Sequence, residues 1–432
     1  MSQLKTMVRA PRRLVLRALR GPVRALLRPF RPQIRAVRRR LPRRVNVYLT
    51  RLLNPPPVAR PVAPPVPPEL VEQARASRPP VPDTPTRLYV APANFAGQGW
   101  LWARAVERQL TGVGAVTMVG IPSGFRFSSD HHVPDQVYLR SAEWQSEQFE
   151  YVRQGFTHAL IEAQRPMFGS LFSSNAFTEA RVLTGYGLRV ATIAHGRDVR
   201  LPSLHRENYP WSPYLPEEWA EVDVLERQVR RNLAGLASLD LPTFVSTPDL
   251  LDDLPDATWC PVVIDPALWE TPEPPLERPR PVAVHAPTSS KFKGSDQVDE
   301  AMTDLHERGL IEYQRIQGVS PEEVRRIIGS ADLVLDQFRL GSYGATACEA
   351  MAAGRVVLGH VAEHNRRRVH EAAGDELPVV ETTVENIREV VLELLEDRGR
   401  AQKIAAQGPG FVRRLHDGSY SATTLSSFLT EN

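Results

Sequence analysis

The chain has 432 residues, enough for two domains with cores of their own and an appendage. Its 42% hydrophobic and 24% charged residues are an ordinary globular composition; two cysteines far apart, Cys260 and Cys348, exclude a disulfide scaffold, and neither has metal-ligand spacing. The net charge of +3 hides a split: residues 1–60 hold 17 Lys and Arg and no acid, leaving 36 basic and 50 acidic residues in 61–432, which argues against nucleic acid as substrate of the main body.

In residues 1–53 the apolar positions Val15, Leu19, Val23, Leu26, Phe30, Ile34, Val37 and Leu41 repeat at helical spacing, with arginines filling much of the remaining surface. Pro22, Pro29, Pro32 and Pro42 break or kink any helix there, and no apolar run is long enough to span a bilayer. An Arg-rich amphipathic segment suits an anionic membrane surface, here the inner face of the cell membrane with the body in the cytoplasm. A protein- or nucleic-acid-docking arm, or a segment with no specific role, is the alternative. Twelve prolines between Pro55 and Pro85 read residues 54–86 as a stiff extended spacer.

Residues 87–265 read as a first α/β domain. A β-rich run from Arg87 ends in the loop Asn94–Gly99, and a helical pattern follows from Trp100 to Leu110. Gly97 and Gly99 form a Gly-x-Gly pair that plain turn chemistry also explains. Further strands are predicted at 157–162, 188–194 and from Phe244. The second of these ends in His195-Gly196, at the carboxyl end of a strand, where open α/β sheets place ligands. Asp130, His131 and His132 have no third ligand nearby and read as a polar loop.

Residues 266–280 are proline-rich and acidic, a linker, and 281–415 read as a second α/β domain. Its first strand, from Pro281, leads to Lys291-Phe-Lys293-Gly294. Only four lysines stand against 49 arginines, and two lie in this loop, where a compact ammonium can approach a diphosphate. Ser320, Pro321 and Glu323 supply a cap, a first-turn proline and a capping box, predicting a helix start at 321. The run 331–336, a loop at Gly341–Gly344, an Ala-rich helix and the run 355–359 make a strand–loop–helix–strand unit suited to an anion. Glu349, about one turn inside that helix, can accept two hydroxyl hydrogen bonds, as from a ribose; a solvated helix Glu is the alternative. Cys348 reads as a small buried hydrophobe. Helical patterns near 384–397 and 399–414 close the domain, and a tail at 416–432 is predicted to cross back to the first.

The Ala331-Asp332 run, the Gly loop and Glu349-Ala-Met-Ala-Ala-Gly354 together resemble the C-terminal signature of family 4 retaining glycosyltransferases of the GT-B fold. Lys293-Gly294 and the stretch Gly318–Asp332 resemble two further motifs of that family, in the same order, and the resemblance covers roughly 87–415. It implies two Rossmann-like α/β domains facing a cleft and transfer of a sugar from a nucleotide-diphosphate donor to a glycan or lipid-linked acceptor. It further implies that Glu349 holds the ribose, residues near Gln317 and Val319 the base, and His195 the donor sugar. Gly97 and Gly99 would face the donor phosphates, and Lys291, Lys293, Gly294 and the Ser342–Tyr343–Gly344 loop the departing diphosphate. Two departures stand out. The family's first Glu falls at Gly341, leaving its contact to backbone or to Ser342 and Tyr343, and Arg197 replaces a small residue after the His-Gly pair. No Asp-x-Asp occurs, so neither metal nor cofactor is expected. A nucleotide-sugar epimerase and a non-catalytic binding protein of the same fold remain the other readings.

Overall fold

The computed structural model describes residues 65–120, 127–271, 273–287 and 289–430. The basic segment 1–53 and the start of the spacer lie outside them. From Val66 onward the chain is one compact unit.

The first described element departs from the expected spacer. Pro68–Ala76 is a helix (α1) opened by a proline at its first position. Val71 and Ala74 are buried against the first sheet, and Arg75 Nε donates to Glu147 Oε2 at 2.7 Å. The stretch Glu69–Ala76 holds no proline and carries an apolar pair at i, i+3, so it buries a face that an extended spacer would leave wet.

The first sheet is built from β1 (Thr86–Ala91), β2 (Val113–Val119), β3 (His131–His132), β4 (His158–Glu162), β5 (Arg189–Ala194), β6 (Thr243–Val245) and β7 (Thr258–Trp259). Their order is β3-β2-β1-β4-β5-β6-β7, every pair parallel. Helices α2 (Gln98–Gln109), α3 (Asp135–Arg140), α4 (Ala142–Gly155), α5 (Ala176–Gly185), α6 (Pro202–Asn208) and α7 (Val222–Ala237) connect them. Both faces are covered, so the strands are apolar on both sides: Leu88 and Val90 face one core with Trp102, while Tyr89 and Ala91 face another with Trp144 and Phe168.

The second sheet comprises β8 (Val282–His285), β9 (Glu312–Arg315), β10 (Leu333–Leu335), β11 (Val356–Gly359) and β12 (Val379–Glu381), in the order β12-β11-β10-β8-β9 and again parallel. Helices α8 (Ser290–Lys293), α9 (Ser295–Glu307), α10 (Pro321–Ser330), α11 (Ala345–Ala352), α12 (Glu363–Ala373), α13 (Ile387–Glu396) and α14 (Arg398–Leu415) surround it. The cap predicted at Ser320 is present, its hydroxyl accepting Glu323 N–H at 3.2 Å. The Ala-rich composition of α11 also has a packing cause. A Cβ on Gly408 of α14 would sit 2.5 Å from Met351 O, so the two helices touch through small residues. Cys348, fully buried there, has its thiol pushed up by burial.

Gly418, at φ +99, turns the chain into α15 (Ser419–Thr430), whose Ala422, Leu425, Phe428 and Leu429 complete the core of the first sheet. Hydrogen bonds from Ser421 Oγ to Pro261 O at 2.8 Å and from Ile264 N to His416 O at 2.7 Å fasten this crossing. Among the described residues no helix is long and apolar enough to cross a membrane.

Candidate active site

In a parallel sheet every strand presents its carboxyl end on one edge, and loops there carry the ligand chemistry. The edge of the first sheet carries the Asn94–Gly99 loop after β1 and the His195 turn after β5. These two are joined by a residue that motif reading passed over. Glu162, the last residue of β4 and fully buried, accepts Ala93 N–H at 3.1 Å and Asn94 N–H at 3.0 Å. Its Oε1 also lies 3.2 Å from His195 Nε2. Gly99 is required for this approach, since a Cβ there would sit 2.8 Å from Glu162 Oε1. The anion in this loop is therefore internal, and Gly97 N–H is spent on Asn94 O at 3.0 Å. The expected contact of Gly97 and Gly99 with donor phosphates gives way to a structural one. The only sequence signal for Glu162 was a carboxylate ending an apolar strand.

A carboxylate only accepts hydrogen bonds, so His195 carries its hydrogen on Nε2 and leaves Nδ1 without a partner among the described residues. Asp198 holds the turn from beneath, accepting His195 N–H at 3.1 Å and Gly196 N–H at 2.7 Å. The His195 ring is flanked by Phe95 and Trp102, each with its centroid 5.4 Å away.

The edge of the second sheet carries the lysine loop and the Gly341–Gly344 loop. Lys293 is buried, its ammonium 2.7 Å from Asp336 Oδ1 and 3.3 Å from Thr346 Oγ1. Asp336 Oδ2 also accepts Gly344 N–H at 3.3 Å. Two groups expected to meet a diphosphate are thus already held by one carboxylate at the end of β10. Lys291 reaches the first domain, donating to Glu218 O with its ammonium 5.7 Å from the Trp219 ring centre. Gly294, at φ +71, joins α8 to α9. Gln317 is exposed and Val319 half-buried in the loop before α10. Glu349 sits on α11 just behind this loop, half-buried and without a hydrogen-bond partner among the described residues. Burial holds its carboxyl up at about 8, with Lys293 pulling down and Asp336 pushing further up.

Tyr343 does not face the cleft. Its hydroxyl lies 3.1 Å from His416 Nε2 in the core, because the loop must anchor on α14; a donor contact through its phenol is withdrawn. Ser342 is buried, its hydroxyl turned toward the Asp249 carboxylate of the first domain. At Gly341 φ is +65, and a Cβ would lie 2.2 Å from the Tyr209 ring. Tyr209 belongs to the first domain and donates to Asp252 Oδ2 at 2.6 Å. Its hydroxyl also lies 2.9 Å from His364 Nε2 in the second domain. An aromatic ring from the first domain therefore fills the space that a side chain at position 341 would take. This contact is part of a larger seam: Arg339 donates to Trp211 O at 2.9 Å and Ser212 O at 3.0 Å, and Arg197 stacks 5.5 Å from the Phe292 ring centre. The His195 turn and the Lys291–Gly294 loop thus stand on opposite walls of one cleft. Among the described residues no group of three or more His, Cys, Asp or Glu is placed to hold a metal ion. Asp130 is spent on Arg104, 3.3 Å away, and on Thr117.

No protein-family model and no curated protein matches the chain. Solved structures do match it. A sucrose-phosphate synthase from Thermosynechococcus elongatus is 13% identical over 79% of this chain and 97% of its own, with a TM-score of 0.53. A glycosyltransferase from Rickettsia africae is 11% identical over 81% of this chain and all of its own, with a TM-score of 0.50. With two parallel α/β domains meeting at their carboxyl edges and the last helix returning to the first, the chain has the GT-B fold.

Proposed function

We propose that the protein is a glycosyltransferase that moves a sugar from a nucleotide-diphosphate donor to a glycan or lipid-linked acceptor, with retention and without a metal. The observation that carries this reading is that Glu349 on the second domain and His195 Nδ1 on the first have no hydrogen-bond partner among the described residues, while Arg197 of the His195 turn touches Phe292 of the lysine loop.

The donor lies on the second domain, its ribose hydroxyls on Glu349 and its base beside Gln317 and Val319. The Lys293–Asp336 pair is electrically neutral as a unit and keeps the ammonium in place beneath the Gly loop. Arg197, with no carboxylate partner among the described residues, adds the positive charge that develops its value as the diphosphate departs. His195 accepts a donor-sugar hydroxyl on Nδ1, while Glu162 fixes the tautomer and the ring. The absence of an Asp-x-Asp motif supports charge stabilisation by side chains and backbone.

A panel of nucleotide sugars in a thermal-shift assay tests the reading, since a ligand bound only by the folded chain raises its melting point. One nucleotide series should raise it in the wild type and not in Glu349→Ala. Incubation of that donor with and without acceptors, followed by sugar analysis of the product, then separates transfer from epimerisation. Donor binding with no turnover over a broad acceptor set would overturn the enzymatic part.

A further inference from the structure

The carboxyl edge of the first sheet holds a cavity of about 350 Å³. It opens between the ends of β2 and β4, on the same edge as the His195 turn. Gly120 comes from the end of β2, Tyr138 and Leu139 from α3, and Arg165, Gly169 and Ser174 from the loop after β4. That loop is built to a fixed shape. The buried Glu179 carboxylate accepts Met167 N–H at 2.5 Å and Phe168 N–H at 3.2 Å from beneath it. Tyr138 Oη donates to Pro166 O, and a Cβ on Gly169 would strike Tyr138 O at 2.0 Å. Ala163 and Gln164 at one end, and Ser173 and Ser174 at the other, hold left-handed backbone at φ 53, 54, 58 and 53.

Two polar side chains of this loop are uncommitted. Arg165 is exposed at the cavity and has no carboxylate partner among the described residues. Gln164, only 7% exposed, has neither amide atom hydrogen-bonded. Buried amides are normally satisfied, and this one has no partner among the described residues. Leu139, 52% exposed, gives the cavity an apolar wall. The Arg165 guanidinium lies 5.8 Å from the Phe95 ring centre, and that ring meets His195 at 5.4 Å, which links the cavity to the cleft.

We propose that this cavity is the acceptor subsite and that the acceptor sugar carries a negative charge, a carboxylate or a phosphate, met by Arg165. A planar guanidinium grips either group in two-point fashion. The proposal rests on the transferase reading above.

Ligand-observed NMR on the full chain tests it with three probes: methyl glucuronide, glucose 6-phosphate and uncharged methyl glucoside. The two charged probes should bind about fivefold more tightly than the neutral one, the scale of a partly exposed ion pair. Arg165→Ala should reduce both to the level of methyl glucoside, and Arg165→Lys should restore part of the difference. A larger gain for one charged probe identifies carboxylate or phosphate as the source. Equal binding of all three probes, or charged-probe binding that Arg165→Ala leaves intact, overturns the proposal. UDP, GDP, ADP and TDP titrated in turn into the same samples test the donor reading by itself: one of them should bind, and to all three chains alike. Binding of none of these nucleotides overturns the transferase reading without altering the charged-probe result.

Discussion

Replacing Glu349 by Gln should stabilise the protein increasingly as pH rises, at the cost of nucleotide binding. Burial raises the Glu349 carboxyl from about 4.5 to about 8, so between those values the folded chain keeps a proton that the unfolded chain has released. Wherever the native state binds more protons, stability falls as pH rises, by up to about 1.4 kcal/mol per pH unit for one group. Carried across the whole interval this sets a ceiling of about 5 kcal/mol. Glu349 keeps part of its surface exposed, so water offsets some of the burial, and about 2–3 kcal/mol near pH 8 is the working figure. Gln has nearly the same shape and no proton to release. Urea unfolding of both proteins from about pH 5 to pH 8.5 should therefore show midpoints that start close together and diverge, with the variant higher. Glu179, also raised to about 8 by burial, tilts both curves alike and cancels in the difference. Above pH 8, where the Glu349 carboxyl has released its proton, the variant should bind the nucleotide selected by the thermal-shift panel at least tenfold more weakly, the scale of a hydrogen bond to a charged group. A midpoint difference independent of pH, or a less stable variant at pH 8, would refute the reasoning.

Lys293→Ala should lower turnover more than donor affinity, because charge on the leaving diphosphate grows toward the transition state; equal losses in kcat and donor Kd would reduce Lys293 to a partner of Asp336. Chelator should leave the rate unchanged, and its abolition by EDTA would overturn the metal-free mechanism. Gly341→Glu should destabilise the chain by about 3 kcal/mol or more, since the residue needs φ +65 and the Tyr209 ring fills its Cβ space; a urea midpoint equal to wild type would contradict that packing. We expect residues 1–53 to act as a peripheral membrane anchor, so full-length protein should float with anionic vesicles while a chain beginning at Val66 stays folded and does not. Identical flotation of the two would favour a docking arm.

The strands of both sheets that carry the cleft loops were legible because a parallel strand buried on both faces is a short apolar run. Those at Arg189–Ala194, Val282–His285 and Val356–Gly359 stood out for that reason. The edge strands His131–His132 and Glu312–Arg315 were not, since their polar residues break the run. The helix Pro68–Ala76 was hidden by the prolines around it, although its own apolar pair finds a core to join.

The sequence by itself determined the α/β plan of parallel strands and helices, the Gly loops, the Ser320 cap and the place of Glu349 in the helix after the second Gly loop, because these depend on residues close together in the chain. Only the tertiary structure decided which of the candidates are spent. Glu162 claims the first Gly loop and His195 across separate strands, Asp336 claims Lys293 from 43 positions away, and Tyr209 from the other domain fills the place of a side chain at Gly341. A hydrogen bond or a steric overlap acts over a few ångströms in space, and no local pattern in the chain records which distant residue will arrive there.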